Sequence, residues 1–451
     1  VDGSGAPFQL PNFGLRRIHA EIIAHPELGA EVAIVELETR SVDAYVEQIV
    51  AGEPHVVGLA AYVWSFPIFV EVAGRLRELL PEATIVMGGP SARPAMFELS
   101  PYRHARSFVD ALVPGEGEMV FLDLLRSDRR RETLASLPGL SVPTQDAFHV
   151  TPREPLAVLD PLASPYQLGL MPRGGVGYLE TYRGCALSCT FCEWGLWAGG
   201  RFGEAALVAE LEALAEAQAN PCFLLDSGLN LNARAFRGLL RAEEQVGYFK
   251  NAELIAELYP SRVNDDVLRF LDGCKVSYLG VGLQSLDPAV LARHQRPFQE
   301  KRFAEVVSAV ATRASVEVQI ILGLPGDSPE GFRRTVEHVR GLPVDARVYR
   351  CLVLPDALMT RAPPDFAMDY DPRTLHMRSC LGWTSDELDR ATDWLASLAR
   401  DTNGVAGEYW WYLPGPHRSG GHVDHVNRSH GLQASEQRDG LVHRRGLPIV
   451  D

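Results

Sequence analysis

Three of the chain's seven cysteines, Cys185, Cys189 and Cys192, fall inside eight residues, with three residues between the first pair and two between the second. Thiolates this close in sequence can converge on one metal centre from a single loop. Four would complete a structural zinc site or a fully ligated iron–sulfur cluster. Only three stand between Tyr182 and Gly195, with no histidine among them. The pattern points to an iron–sulfur cluster with one iron left open to a further ligand. A zinc knuckle borrowing a distant ligand, or unrelated buried thiols, are the rival readings of the spacing.

Such a loop has to be delivered by a folded frame, and the composition permits one. A chain of 451 residues is long enough for two or three domains, and 46% hydrophobic with 22% charged residues is the balance of a soluble globular protein. No apolar run approaches the roughly 20 residues that span a bilayer. The opening residues, Val1 to Gly5, carry no signal-peptide pattern, so no membrane partner is expected. An odd number of clustered cysteines argues against a disulfide framework and for a reducing, cytoplasmic setting. The net charge of −15 disfavours nucleic acid as a partner.

Residues 1–125 alternate short apolar runs with helical periodicity. Strands are expected at Glu31–Leu37, His55–Ala61, Ala83–Met87 and Ala111–Val113, with helices at Val42–Ala51 and Phe69–Leu80. This alternation predicts an open, doubly wound parallel sheet, which binds ligands at the carboxyl ends of its strands. The loops there, 61–66, 88–91 and 115–117, are rich in glycine and small residues. Prolines crowd residues 126–175, which read as a linker. From Val176 the βα pattern resumes. Gly177–Thr181 delivers the cysteine loop, and later strands end at Leu225, Val263, Ser285, Leu322 and Leu354. In the C-terminal part, Thr384 is the expected N-cap of a helix reaching Leu398, with Glu387 completing a capping box. The aromatic run Tyr409 to Tyr412 reads as a strand packed on the preceding domain.

The cysteine spacing, with Phe191 just before the last cysteine, resembles the signature of radical S-adenosylmethionine (SAM) enzymes. Ahead of it, Pro11-Asn12-Phe13-Gly14, Tyr62-Val63-Trp64-Ser65, Met87-Gly88-Gly89-Pro90 and Val113 to Glu118 resemble the cobalamin-binding domain of cobalamin-dependent members. The resemblance implies an α/β chain in three parts. These are a doubly wound (Rossmann-like) cobalamin-binding domain over 1–150 with a linker to about 175, a partial (β/α)6 TIM-type radical SAM barrel over 176–365, and a small α+β substrate or capping domain over 366–451. Implied cofactors are a 4Fe-4S cluster on Cys185, Cys189 and Cys192, SAM, and cobalamin as methylcobalamin or hydroxocobalamin.

Further site residues follow from the same resemblance. Gly14, Tyr62, Trp64, Ser65, Gly88, Gly89, Pro90, Gly115, Glu116 and Gly117 would surround the corrinoid. His55 has the spacing of a cobalt-ligating motif but precedes a strand, so the cobalt is expected without a histidine, with Trp64 near its lower face. For SAM, Asp226 and Ser227 would meet the amino-acid end, Arg262 the carboxylate, Gln284 and Ser285 the ribose or carboxylate oxygens, and Ile320 and Leu322 the adenine, with Phe191 alongside. Against each stands a plain role: a helix cap for Asp226, an ion pair for Arg262, a turn for Gln284 and Ser285. Trp194, Tyr349, Arg350, Tyr409 and Trp410 are the candidates to hold substrate.

The activity implied is C-methylation of a natural-product (antibiotic) intermediate at an sp3 carbon, through methylcobalamin and a 5′-deoxyadenosyl radical that abstracts hydrogen. The barrel sequence is similar to carbapenem-pathway methylases. Polar methyl transfer of the tryptophan-methylase kind, or a non-methylating radical rearrangement, is the alternative within the family. A non-catalytic metal or corrinoid sensor is the alternative outside it. A small-molecule substrate and an external electron donor of flavodoxin or ferredoxin type are the expected partners. A methylthiotransferase is disfavoured, because no cysteine precedes Cys185 to hold a second cluster.

Overall fold

The computed structural model describes residues 11–37, 40–196 and 198–416. His417, His422, His425 and His430, expected as surface histidines, lie outside these residues. The chain opens with α1 (Phe13–Ala24), capped by Asn12, whose side chain accepts from Leu15 N at 3.1 Å. Then come α2 (Val42–Ala51), β1 (Val56–Ala60), α3 (Phe66–Leu79), β2 (Thr84–Gly88), β3 (Ala111–Val113), α4 (Gly117–Arg126), α5 (Arg131–Ser136), β4 (Ser141–Pro143) and β5 (Phe148–Val150). They form one sheet in the order β1-β2-β3-β4-β5. Its first three strands are parallel and its last two antiparallel.

Side-chain alternation splits this sheet between two cores. Val57, Leu59, Ile85, Met87 and Leu112 pack with Val46, Val70 and Leu76 of α2 and α3. Val86, Ala111 and Val113 pack with Val120, Leu124 and Leu134 of α4 and α5. Covering both faces makes the sheet doubly wound. Two expectations change. Residues 31–37 form no strand and stay mostly half-exposed despite their apolar side chains. The proline-rich stretch after 126 is more than a linker, since β4 and β5 extend the sheet.

The second half contains β6 (Gly177–Leu179), β7 (Tyr182–Gly184), β8 (Ala198–Arg201), α6 (Glu204–Glu216), β9 (Cys222–Leu224), α7 (Ala233–Val246), β10 (Leu254–Glu257), α8 (Asp265–Gly273), β11 (Val276–Gln284), α9 (Pro288–Arg293), α10 (Glu300–Ala311), β12 (Val316–Leu322), α11 (Pro329–Arg340) and β13 (Asp345–Arg350). After these follow α12 (Leu358–Arg361), β14 (Asp369–Tyr370), β15 (Met377–Ser379), α13 (Ser385–Asp401), β16 (Val405–Ala406) and β17 (Trp410–Leu413). Six parallel strands run β6-β9-β10-β11-β12-β13, and β17 and β16 continue the same sheet antiparallel beyond β13. The sheet does not close into a barrel.

Its outer face is apolar. Leu224, Leu254, Leu279, Val281, Val318, Ile320, Leu322 and Val348 share one core with the surrounding helices. Trp383, Leu388, Leu395 and Trp411 belong to that core too, while Leu375 joins the core under α2 and α3, and Trp410 and Tyr412 form a small cluster with Tyr349. Helix α13 starts with the expected capping box of Thr384 and Glu387.

Candidate functional site

The cysteine loop hangs between β7 and β8, an antiparallel pair separate from the main sheet. Gly184 turns into it with φ +85°, a left-handed conformation that favours glycine. A methyl group on Gly195 would lie 2.1 Å from the Leu187 carbonyl oxygen, so only glycine lets the loop close there. Two N–H groups already address the sulfurs: Leu187 N donates to Cys185 Sγ at 3.4 Å, and Arg296 Nη1 to Cys189 Sγ at 3.7 Å. Arg361 donates to the carbonyls of Cys189 (2.9 Å) and Cys192. Buried His294 bridges Thr190 Oγ1 (2.6 Å) and the Pro325 carbonyl (2.8 Å), while Phe191 packs on its ring at 5.6 Å.

These residues suit a cluster. Burial pushes the Cys192 thiol up to about 11, and the nearby Cys189 and Cys185 sulfurs add to the rise against the pull of Arg296. Three thiols within electrostatic reach of one another, two of them with N–H donors in place, are a set that metal binding would deprotonate. Among the described residues, no three His, Cys, Asp or Glu side chains gather tightly enough to hold a single metal ion. A tetrahedral zinc would draw its sulfurs to about 3.8 Å from one another. A cluster places each thiolate on a different iron and needs no such convergence.

Several expected SAM contacts turn out to build the frame behind the loop. Asp226, 3% exposed at the end of β9, accepts from Thr181 N (2.8 Å), Thr181 Oγ1 (2.5 Å) and Tyr182 N (3.3 Å). Burial raises its carboxyl to about 7 despite those donors. Ser227 donates to the Gly184 carbonyl (2.8 Å) and meets Tyr182 Oη at 2.9 Å. Ser285 is fully buried, and its Oγ accepts from Asp287 N at 3.2 Å. Arg262 lies exposed in a short helical turn after Tyr259, because β10 ends at Glu257 and not at Val263. Ile320 and Leu322 face the helix layer, and it is Ile321 that points inward. Gln284 holds φ +75° at a bulge, its amide folded back over Gly282.

The inner face carries polar residues that the sequence reading passed over. Gln319 donates to Glu257 Oε1 at 2.9 Å, and loss of solvation raises Glu257 to about 7. Tyr278 donates to Glu317 Oε1 at 2.8 Å, and Arg347 pairs with Glu317 Oε2 at 2.9 Å while lying over Trp410 and Tyr412. Gly280 and Gly282 keep this face open between them, since a methyl on Gly280 would overlap the Glu257 carboxylate. A cationic amino acid with a ribose diol meets suitable acceptors here.

On the first domain, Tyr62 and Trp64 stack at 5.0 Å and 9°, and Trp64 remains 51% exposed. Ser65 accepts from Tyr62 N at 3.0 Å and closes that turn. Gly89 has φ +93°, and a methyl there would sit 2.7 Å from the Ala61 carbonyl oxygen, so β1 and β2 end in close contact beside Gly88 and Pro90. Gly14 lies in the first turn of α1, next to the Asn12 side chain that approaches Tyr62. An exposed tryptophan stacked on a half-buried tyrosine beside glycine-lined strand ends fits a large flat ligand. Gly115 and Gly117 flank Glu116, which turns toward the second half and accepts from Leu156 N (2.8 Å) and Arg183 Nη1 (3.0 Å). His55 is exposed immediately before β1, away from those loops.

Of the substrate candidates, Trp194 is 50% exposed. Tyr349 and Trp410 pack with Tyr412, where β13 pairs with β17. Arg350 Nε donates to the Met377 carbonyl at 3.0 Å, and Tyr409 stacks on His376 at 3.6 Å. Burial, with help from Arg350, lowers His376 to about 4.

Comparison with known proteins agrees with this division. Residues 6–125 match the B12 binding domain and residues 179–339 the Radical SAM superfamily. The chain is 30% identical over 404 residues to 2-(S-pantetheinyl)-carbapenam-3-carboxylate methyltransferase of Streptantibioticus cattleyicolor, covering 81% of this chain and 56% of that protein. It is 29% identical over 400 residues to the cobalamin-dependent radical SAM methyltransferase TokK of Streptomyces tokunonensis, covering 79% and 55%. The chain thus spans little more than half the length of these relatives. Its fold is similar to that of TsrM, a radical S-adenosylmethionine methyltransferase from Kitasatospora setae solved with cobalamin and a 4Fe-4S cluster. That likeness has a TM-score of 0.63 at 18% identity, over 90% of this chain and 86% of that one. The cobalamin-dependent radical enzyme OxsB gives a TM-score of 0.57 at 12% identity, over 92% and 63%.

Proposed function

Given that the chain belongs to the cobalamin-dependent radical SAM enzymes, we propose that it is a methyltransferase acting on an sp3 carbon of a small natural-product intermediate, with a carbapenam as the most specific substrate class. The observation that carries this reading is the joining of the cysteine loop to the strand-end loops of the first domain, through Arg93 on one side and Arg183 on the other. When bound, the cluster supplies an electron to SAM and the corrinoid carries a methyl group, chemistry that no side chain provides. The chain's own residues bind and orient. Cys185, Cys189 and Cys192 hold the cluster, Arg296 and Leu187 N aim donors at its sulfurs, and Glu257 with Gln319 offers acceptors to SAM. Trp64 excludes water from the corrinoid's face, and Trp194 borders the space left for substrate. An external one-electron donor of flavodoxin or ferredoxin type and a cytoplasmic setting complete the proposal.

Polar methyl transfer is the second reading, favoured by the fold shared with TsrM. One assay separates the two. Incubation with methyl-labelled SAM, a reductant and candidate carbapenams should yield labelled product together with 5′-deoxyadenosine. Labelled product without 5′-deoxyadenosine would support polar transfer, and 5′-deoxyadenosine without methylation would exclude a methyltransferase.

A further inference from the structure

The cysteine loop is clamped at both ends to the first domain by ion-paired side chains. Downstream, Glu193 follows Cys192 directly and accepts from Asp356 N at 3.0 Å. The Asp356 carboxylate pairs with Arg93, whose Nη1 donates to the Gly89 carbonyl at 2.9 Å. Arg361 donates to the Asp356 carbonyl at 2.8 Å and also to the Cys189 and Cys192 carbonyls, so one guanidinium ties this bridge to the loop itself. Upstream, Arg183 stands two residues before Cys185 and contacts Glu116 (3.0 Å), Glu118 (2.5 Å) and Glu180 (3.0 Å). Arg17 adds charge at 3.7 Å from Glu118 and Glu180 and lies over the rings of Phe13 and Phe202.

We propose that these two bridges are positioning devices, which set the separation and tilt between the cluster and the corrinoid so that methyl donor and substrate carbon meet. The proposal rests on the assignment of both cofactors to this chain. The placement of the bridges supports it. One ends on Gly89 and the other on Glu116, in two of the three strand-end loops expected around the corrinoid. Their chemistry supports it as well. The Arg183 and Glu118 side chains are only 14% and 6% exposed, and the Arg93 side chain 9%. Buried ion pairs hold direction and distance but stabilise little more than apolar packing would. A domain contact built only for stability has no need of them. Group transfer, in contrast, loses about a hundredfold for a misplacement of ~1 Å.

The test uses the full chain reconstituted with cobalamin and iron–sulfur cluster, in wild type, Arg93→Ala, Asp356→Asn and the double variant. Pulsed dipolar EPR between cob(II)alamin and the reduced cluster reports their separation. Both single variants should broaden the distance distribution, the double variant should broaden it no further, and Arg93→Lys should restore it, with iron and corrinoid contents unchanged throughout. Hydrogen exchange on the cofactor-free protein gives a second readout. Arg93→Ala should speed exchange at 86–92 and at 186–194 together, by about tenfold for a local opening of this kind. Wild-type distances and exchange in both single variants would overturn the proposal. A wild-type protein lacking either paramagnet would instead contradict the cofactor assignment, and the proposal with it, whatever the exchange data show.

Discussion

Replacing Asp226 with asparagine separates two roles open to a carboxylate at a strand end: binding the amino-acid portion of SAM, or holding the strand that delivers the cysteine loop. The structure gives it the second, with three donors from Thr181 and Tyr182 on its two oxygens. Asparagine keeps an acceptor for both main-chain N–H groups, and the Thr181 hydroxyl can rotate to accept from its amide. Burial raises Asp226 from an ordinary 3.8 to about 7. The folded state therefore binds a proton that the unfolded state has lost between those two values. Stability contributed by the neutral acid is complete below about pH 4 and disappears as pH rises through about 7, a decline worth roughly 4 kcal/mol. Denaturant unfolding of the cofactor-free chain between pH 4.5 and 8 should show this fall in wild type and a flatter curve in Asp226→Asn. Glu257, also raised to about 7, slopes both curves alike, so the difference between them isolates Asp226. Asp226→Asn should bind SAM within about twofold of wild type, whereas Asp226→Ala, leaving three donors without a partner, should cost ~3 kcal/mol or more and lower iron content. A tenfold loss of SAM affinity in Asp226→Asn, with parallel pH curves, would refute this reasoning.

Arg296→Ala removes a cationic donor from Cys189 Sγ and should lower the cluster's reduction potential by on the order of 60 mV, the one-electron equivalent of ~1.4 kcal/mol, read by EPR-monitored redox titration. Gly89→Ala must accept both φ +93° and a 2.7 Å approach to the Ala61 carbonyl oxygen. Equilibrium titration should show weaker cobalamin binding with iron content unaltered. Arg347→Met strands the Glu317 carboxylate on the sheet's buried inner face and should destabilise the chain by ~3–5 kcal/mol, part of which Glu317→Gln should restore in the double variant.

The cysteine loop was legible in the sequence because its ligands lie within eight residues of one another and their spacing is itself the chemistry. Most strands were legible for a similar reason, since buried parallel strands read as short apolar runs bounded by glycine; the order in which they pair was not. Nor was the face a side chain takes plain from its type. Ile320, Ile321 and Leu322 are all apolar, so residue type alone does not sort them; the alternation of Glu317 and Gln319 before them puts Ile321 on the inner face, as the register with β11 and β13 shows. Arg262 was misplaced because the true strand, Leu254–Glu257, ends earlier than the polar residues that suggested a boundary. Residues 31–37 read as a strand but pair with no strand among the described residues. The bridges were invisible for want of locality: Arg93 and Asp356 are 263 residues apart, and Arg183 and Glu118 are 65. Nothing in an isolated arginine announces a partner at that distance.

The central claim, that one chain brings SAM and cobalamin together for methyl transfer, is tested most directly without any substrate. The reconstituted protein would be incubated with reduced cobalamin and methyl-labelled SAM, and the corrinoid extracted and analysed by mass spectrometry. The account predicts labelled methylcobalamin in amounts approaching one per chain, formed also when Cys185, Cys189 and Cys192 hold no cluster. SAM consumed with no label on the corrinoid, or a first domain that retains no corrinoid at all, would contradict it.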